Sequence, residues 1–166
     1  MSRVSQPAET IRRITVPADA RAPTGTTNAY IVDGTLLVDP ADRSEELDAA
    51  VAAADVQHIA VTHTHSDHIG GVAAYAEETD ATVWCRRGFA SRFAAAAGID
   101  PDRTFVEGTQ LPAGDGIRVL DTQGHAPDHV AFETAGGTVC GDVAIAAGSV
   151  AVAAPDGDLR GYLVAL

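Results

Sequence analysis

Apolar residues recur along this chain in two rhythms, and their alternation predicts most of its elements. Residues 11–16 alternate as a first strand. Residues 28–32 and 35–38 flank Asp33-Gly34, a strong hairpin signal, and Asp39-Pro40 ends that hairpin. Asp42 with Glu45 three residues on predicts a capping box. Leu47, Val51 and Ala54 then give a helical apolar face. Residues 57–62 read as a buried strand. Residues 69–79 read as a helix with Val72, Tyr75, Ala76 and Thr79 inward. Gly70 and Gly71 let its start pack closely or serve as hinges.

Residues 81–85 predict a short strand and residues 89–97 a helix closed by Gly98 as a left-handed cap. Asp100-Pro101-Asp102 is a turn. Further strands are expected at 116–120, 130–133, 138–140 and 148–153, with Gly136-Gly137 turning between the second and third of these. Residues 155–157 form a turn and 158–166 open a helix. Strands and helices are interspersed, which predicts a layered α/β (α+β) domain. There are no repeats or linkers, so one domain is expected over residues 11–166, after a flexible leader at 1–10.

Composition narrows the functional classes. A chain of 166 residues with 46% hydrophobic content can bury a full core. Charge is the outlier: 23 acidic against 11 basic residues, a net charge of −12, with every basic residue Arg. An acidic, lysine-free surface suits a halophilic protein in concentrated salt, where self-repulsion is screened. A GC-rich coding sequence exchanging Lys for Arg is the alternative. The acidity argues against membrane surfaces and, more weakly, against nucleic acid. No apolar run approaches a membrane span and residues 1–10 lack a signal-peptide core, so a cytoplasmic location is expected. Cys85 and Cys140 end strand-like segments and read as buried small hydrophobes rather than ligands or a disulfide.

Chemistry concentrates in His63-Thr64-His65-Ser66-Asp67-His68. Imidazole nitrogen and carboxylate oxygen are ligands that Zn²⁺ accepts readily. On an extended chain leaving the 57–62 strand, His63, His65 and Asp67 share one side, and His68 joins them at the turn into the helix. A polar loop whose histidines cap a helix explains one or two imidazoles, not three beside a carboxylate. Downstream come His125, His129 and Asp142, each just past a strand-like run. Asp142 follows an apolar strand, where an unpaired carboxylate is costly to bury. His58 sits inside a strand and reads as structural.

With these motifs in this order, the chain resembles the metallo-β-lactamase-fold hydrolase superfamily, closest to its β-lactamase-like endoribonuclease and glyoxalase II-like groups. His63 to His68 match the HxHxDH signature, Gly124-His125 the second motif and Gly141-Asp142 the third. Asn28 to Val32 and Leu37 to Pro40 match the opening hairpin. The resemblance implies a four-layer αβ/βα sandwich with a binuclear site at one edge of its two sheets. It places a first metal on His63, His65 and His125, a second on Asp67 and His68, and Asp142 between them. Asp67 would also steer the nucleophile and return a proton, and His129 would be structural or one step removed from the metals. The family's final histidine, from a PGHG-like loop, has no counterpart after Asp142. The resemblance therefore implies a domain incomplete at its C-terminal end, with one tight zinc and a weaker second; iron or manganese are alternatives.

The function so implied is hydrolysis of an ester, thioester, lactone or phosphodiester by a metal-bound hydroxide. The expected partner is a small-molecule substrate, with RNA as an alternative, and no residue stands out as substrate-binding. A catalytically impaired metal-binding member and a mono-iron persulfide dioxygenase are the other readings. The charge supplies a first prediction. At about 1 M salt the Debye length falls to about 3 Å, so repulsion among exposed carboxylates largely disappears. Thermal unfolding is expected at higher temperature in molar KCl than in dilute buffer; an unchanged midpoint would remove the halophile reading.

Overall fold

The structure is a computed structural model that describes residues 11–18, 24–146 and 148–166; the leader expected at 1–10 lies outside them. Two sheets carry the fold. The larger runs β1 (Ile11–Pro17), β2 (Thr26–Val32), β3 (Leu36–Val38), β4 (His58–Ala60), β5 (Thr82–Arg86) and β6 (Arg103–Phe105), side by side in chain order. Its first three strands pair antiparallel and the rest parallel. The smaller sheet contains β7 (Gln110–Leu111), β8 (Ile117–Asp121), β9 (Val130–Thr134) and β10 (Gly137–Val139), all antiparallel.

Strand parity separates two cores. Ile31, Leu37, Ile59, Val83 and Cys85 point to one face of the larger sheet, where α1 (Glu45–Ala52), α3 (Val72–Thr79) and α4 (Ala90–Ala97) supply Leu47, Val51, Val72, Tyr75 and Phe93. Their neighbours Val32, Leu36, Val38, Ala60 and Trp84 point to the other face. There they meet Leu111, Ile117, Val119, Val130 and Phe132 of the smaller sheet. Both faces of β3 are therefore covered, which is why Leu36-Leu37-Val38 reads as an unbroken apolar run. This is the layered architecture expected.

The differences are local. Ser44, not Asp42, caps α1: Leu47 N–H donates to Ser44 Oγ at 3.2 Å, while Asp42 accepts from the Arg43 backbone. The helix expected at 69–79 is two, α2 (Ser66–Ile69) and α3, parted at Gly70-Gly71. The strand expected at 148–153 is absent. Its small side chains offer little to bury, and its carbonyls at Ala151 and Ala153 accept from His125 and Gly157 instead of a sheet partner. β6 and β7 went unforeseen because each has one buried apolar residue, Phe105 and Leu111. Cys85 is buried, and burial pushes its thiol up to about 11; Cys140 is only half-buried, just past β10.

The two glycines bring helix and turn into contact. Gly71 N–H donates to Pro40 carbonyl at 2.8 Å, and a Cβ on Gly70 would overlap the Ala41 carbonyl oxygen. Gly70 has helical torsions, where in open space alanine would stabilise by about 0.5–1 kcal/mol. Gly70→Ala is instead expected to destabilise by about 1–3 kcal/mol through overpacking. The sign of the change in urea unfolding decides the point.

Candidate metal centre

The site gathers at one rim of the two sheets. The extended chain after β4 presents His63 and His65, and α2 carries Asp67 and His68. His125 lies in the loop between β8 and β9, and Asp142 in a 3₁₀ turn (Gly141–Val143) after β10. Gly141 makes the last placement feasible. Its φ is +50°, and a Cβ there would come within 2.6 Å of Thr62 Oγ1 and 2.8 Å of His129 Nε2. His63, His65, Asp67 and His68 are all buried.

Hydrogen bonds engage one ring nitrogen of each histidine and turn the other toward its neighbours. Asp39, at the end of β3 and 1% exposed, accepts from Thr62 N–H at 2.6 Å and from Thr62 Oγ1 at 2.7 Å. The hydroxyl's one hydrogen is thereby used, so it accepts from His63 Nδ1 at 3.1 Å. The same Asp39 accepts from His68 Nδ1 at 2.9 Å. His125 Nδ1 donates to the Ala151 carbonyl at 2.7 Å, and His65 Nε2 to Asp156 Oδ2 at 3.1 Å. The Arg92 guanidinium beside Asp156 holds its carboxyl well below the usual range, so that carboxylate accepts only.

The other nitrogens converge. His65 Nδ1 lies 3.0 Å from both His63 Nε2 and His125 Nε2. Burial, then neighbouring imidazoles, push His63 well below 6.5 and keep it neutral, so with Nδ1 donating to Thr62 its Nε2 carries no proton. Lone pairs that face one another in a buried space need a cation. Tetrahedral zinc–nitrogen bonds of about 2.0 Å place donors about 3.3 Å apart, close to what is seen. His63, His65 and His125 thus form one triad of possible ligand atoms, and His63, His68 and Asp142 a second. Asp142 reaches both ways: Oδ1 is 3.4 Å from His68 Nε2 and Oδ2 is 3.4 Å from His125 Nε2.

Asp67 belongs to neither triad, yet its buried Oδ1 has no hydrogen-bond partner in the structure. An orphaned buried carboxylate oxygen is costly, and a cation would relieve it. His129 is used otherwise. Its Nδ1 donates to Thr122 Oγ1 at 2.8 Å and its Nε2 accepts from Asp142 N–H at 3.1 Å, so both nitrogens are occupied. Burial and nearby imidazoles push it down to about 3, and the neutral ring braces the Asp142 backbone. His58 is structural: Nε2 bonds the Pro112 carbonyl at 3.1 Å and Nδ1 accepts from Trp84 at 3.4 Å. Neither cysteine enters a triad.

Sequence reasoning missed Asp39, read only as the end of a hairpin. The signal was present, since a carboxylate directly after an apolar strand is what singled out Asp142. It also missed Asp156 and Arg92, which no local pattern marks.

Comparison with known proteins agrees with this geometry. The family profile described as the metallo-beta-lactamase superfamily matches residues 22–166. A hydroxyacylglutathione hydrolase from Rhodospirillum rubrum is 37% identical over 117 residues, covering 68% of this chain and 43% of that protein. Another, from Idiomarina loihiensis, is 34% identical over 103 residues, covering 56% and 34%. The chain thus spans less than half the length of these curated relatives. Among solved structures, BLEG-1, a B3 metallo-beta-lactamase, superposes with a TM-score of 0.73 at 21% identity, covering 93% of this chain and 83% of the other. TTHA1623 in a di-iron-bound form gives 0.63 at 26% identity, covering 98% and 82%. On the matched profile, which takes in every strand from β2 onward and every residue of the two triads, the chain belongs to the metallo-beta-lactamase superfamily.

Proposed function

We propose that this chain is a metal-dependent hydrolase of small acyl thioesters, with zinc as its ion. The observation that supports it is the convergence of buried imidazole nitrogens and the Asp142 oxygens in two adjoining triads, with His63 shared between them. His63, His65 and His125 would hold a first ion. His68 and Asp67 would hold a second, with Asp142 between the two. Divalent ions there would supply Lewis acidity toward a carbonyl oxygen and lower the pKa of a bound water. The thioester follows the hydroxyacylglutathione hydrolase relatives, and a net charge of −12 weighs against RNA. Among the described residues no helix is long and apolar enough to cross a membrane, in keeping with a small-molecule substrate met in the cytoplasm.

The residues divide the work. Asp39 orients His63 through Thr62 and His68 directly, and His129 supports Asp142 from behind. Asp67, with Oδ1 unpartnered, is the group free to steer a water and pass its proton to the leaving group. The triads have different acid–base character without metal. Burial pulls the His68 imidazole down, but the carboxylates of Asp39 and Asp142 outweigh it and hold the ring at about 10. His68 would have to give up that proton before holding an ion, whereas His63 is already neutral.

Two predictions follow from this assignment. Dialysed protein should retain near one equivalent of zinc and bind a second more weakly. The second-site affinity should rise with pH, by about tenfold per unit between about pH 6.5 and 8.5, because one proton leaves His68 as the ion enters. Zinc titration calorimetry at the two pH values reads this. Retention of a full equivalent by His63→Ala/His125→Ala would contradict the assignment of the first site.

The activity itself is tested by offering the zinc-loaded chain a hydroxyacylglutathione, a homoserine lactone and a phosphodiester. Thioester turnover should be fastest and should be abolished by chelation. Asp67→Asn should keep most first-site zinc and lose about 10²-fold or more in rate, as for a positioned proton-transfer group. His58→Gln should stay near wild type. No turnover of any substrate, or equal rates for Asp67→Asn and wild type, would overturn this reading.

A further inference from the structure

We propose that Arg92, on α4 and remote in sequence from every metal-binding motif, is a positioning residue that sets the ring tautomer of His65 through Asp156. The inference rests on the metal-site reading above but concerns residues that reading leaves unused. Arg92 grips Asp156 with both arms of its fork, Nη1 to Oδ1 at 3.0 Å and Nη2 to Oδ2 at 2.7 Å. Its Nε donates to Thr64 Oγ1 at 2.7 Å and lies 3.7 Å from Asp128 Oδ1, a buried oxygen without a hydrogen bond. One guanidinium thereby joins α4, the His63–His68 segment, the His125–His129 loop and the tail after Asp142.

The consequence is directional. A bidentate guanidinium–carboxylate pair fixes the carboxylate plane as well as its position, which a lysine ammonium would not do. Fixed in this way, Asp156 presents Oδ2 to His65 Nε2 at 3.1 Å. An ionised carboxylate only accepts, so Nε2 must carry the hydrogen, and in the neutral ring Nδ1 keeps the lone pair. Nδ1 is the nitrogen that faces His63 and His125, and His65 is the one ligand of the first triad that points with Nδ1 rather than Nε2. The relay therefore selects the less accessible ring nitrogen as the ligand. A mere surface ion pair would contribute at most about 1 kcal/mol to folding and leave the tautomer alone.

The test uses Arg92→Gln and Asp156→Ala, one at each end of the relay, in the full chain. Nitrogen-15 chemical shifts of the imidazoles in metal-free protein report the tautomer. Chelator competition reports first-site zinc affinity. Wild-type His65 should show the Nε2–H form, and both variants a mixture. Each variant should bind first-site zinc about 10–100-fold more weakly, the usual effect of losing a partner behind a ligand. The double variant should be no weaker than Asp156→Ala alone, since Arg92 acts through Asp156. An unchanged His65 tautomer in Asp156→Ala, or an additive double variant, would overturn the proposal. The tautomer is read without metal, so it decides this inference even if the wild-type chain retained no zinc, a result that would count against the hydrolase reading alone.

Discussion

Everything at the rim depends on one buried carboxylate. Asp39 stands at the end of β3 in the left-handed region, with φ at +53°, nearly sealed from solvent. A charge buried there is tolerable only because it is fully engaged. It takes the Thr62 amide and hydroxyl and the His68 ring, so it ties two adjacent parallel strands together where both end. Through Thr62 it also fixes His63. Removing its charge would strip support from a strand junction and two imidazoles at once.

Around that joint, the fold turns distance in sequence into proximity. Parallel pairing of β3 and β4 brings the Asp39 turn beside the His63 segment, and the Gly70-Gly71 break lets α3 start against Pro40 and Ala41. The second sheet delivers His125 and Asp142 from the opposite side. Its strands are short, but Ile117, Val119, Val130 and Phe132 seat it firmly against the first sheet. The apolar layers bring the rim's segments together, and the bonds of Asp39 hold the side chains on it.

Much of this was legible in the chain. Asp33-Gly34 announced the hairpin, Gly98 closed α4 at φ +77°, and the spacing of His63, His65 and His68 marked the site, because each signal is local. The failures were of other kinds. Asp42 and Ser44 both resemble caps, and only the entry angle of the chain chooses between them. Val150 and Val152 alternate like a strand, but a strand needs a partner, and none is offered. Arg92 and Asp156 lie 64 residues apart and mean something only once folded together. Local pattern reveals elements and clustered ligands; it is blind to what holds the ligands from behind.

Beyond Val143 no described residue is buried, and Leu159, Leu163, Val164 and Leu166 face solvent. This last stretch adheres through polar links: Ala151 to His125, Asp156 to His65 and Arg92, Asp158 to Gly124, and Tyr162 to the Val143 carbonyl. Segments with few buried apolar contacts open at free energies well below that of global unfolding. On that ground the residues after Val143 are expected to open more readily than either core. Because two of this stretch's links orient His65 and His125, its opening and the order of the first triad are thermodynamically linked: whatever steadies one steadies the other, with no change in either hydrophobic core.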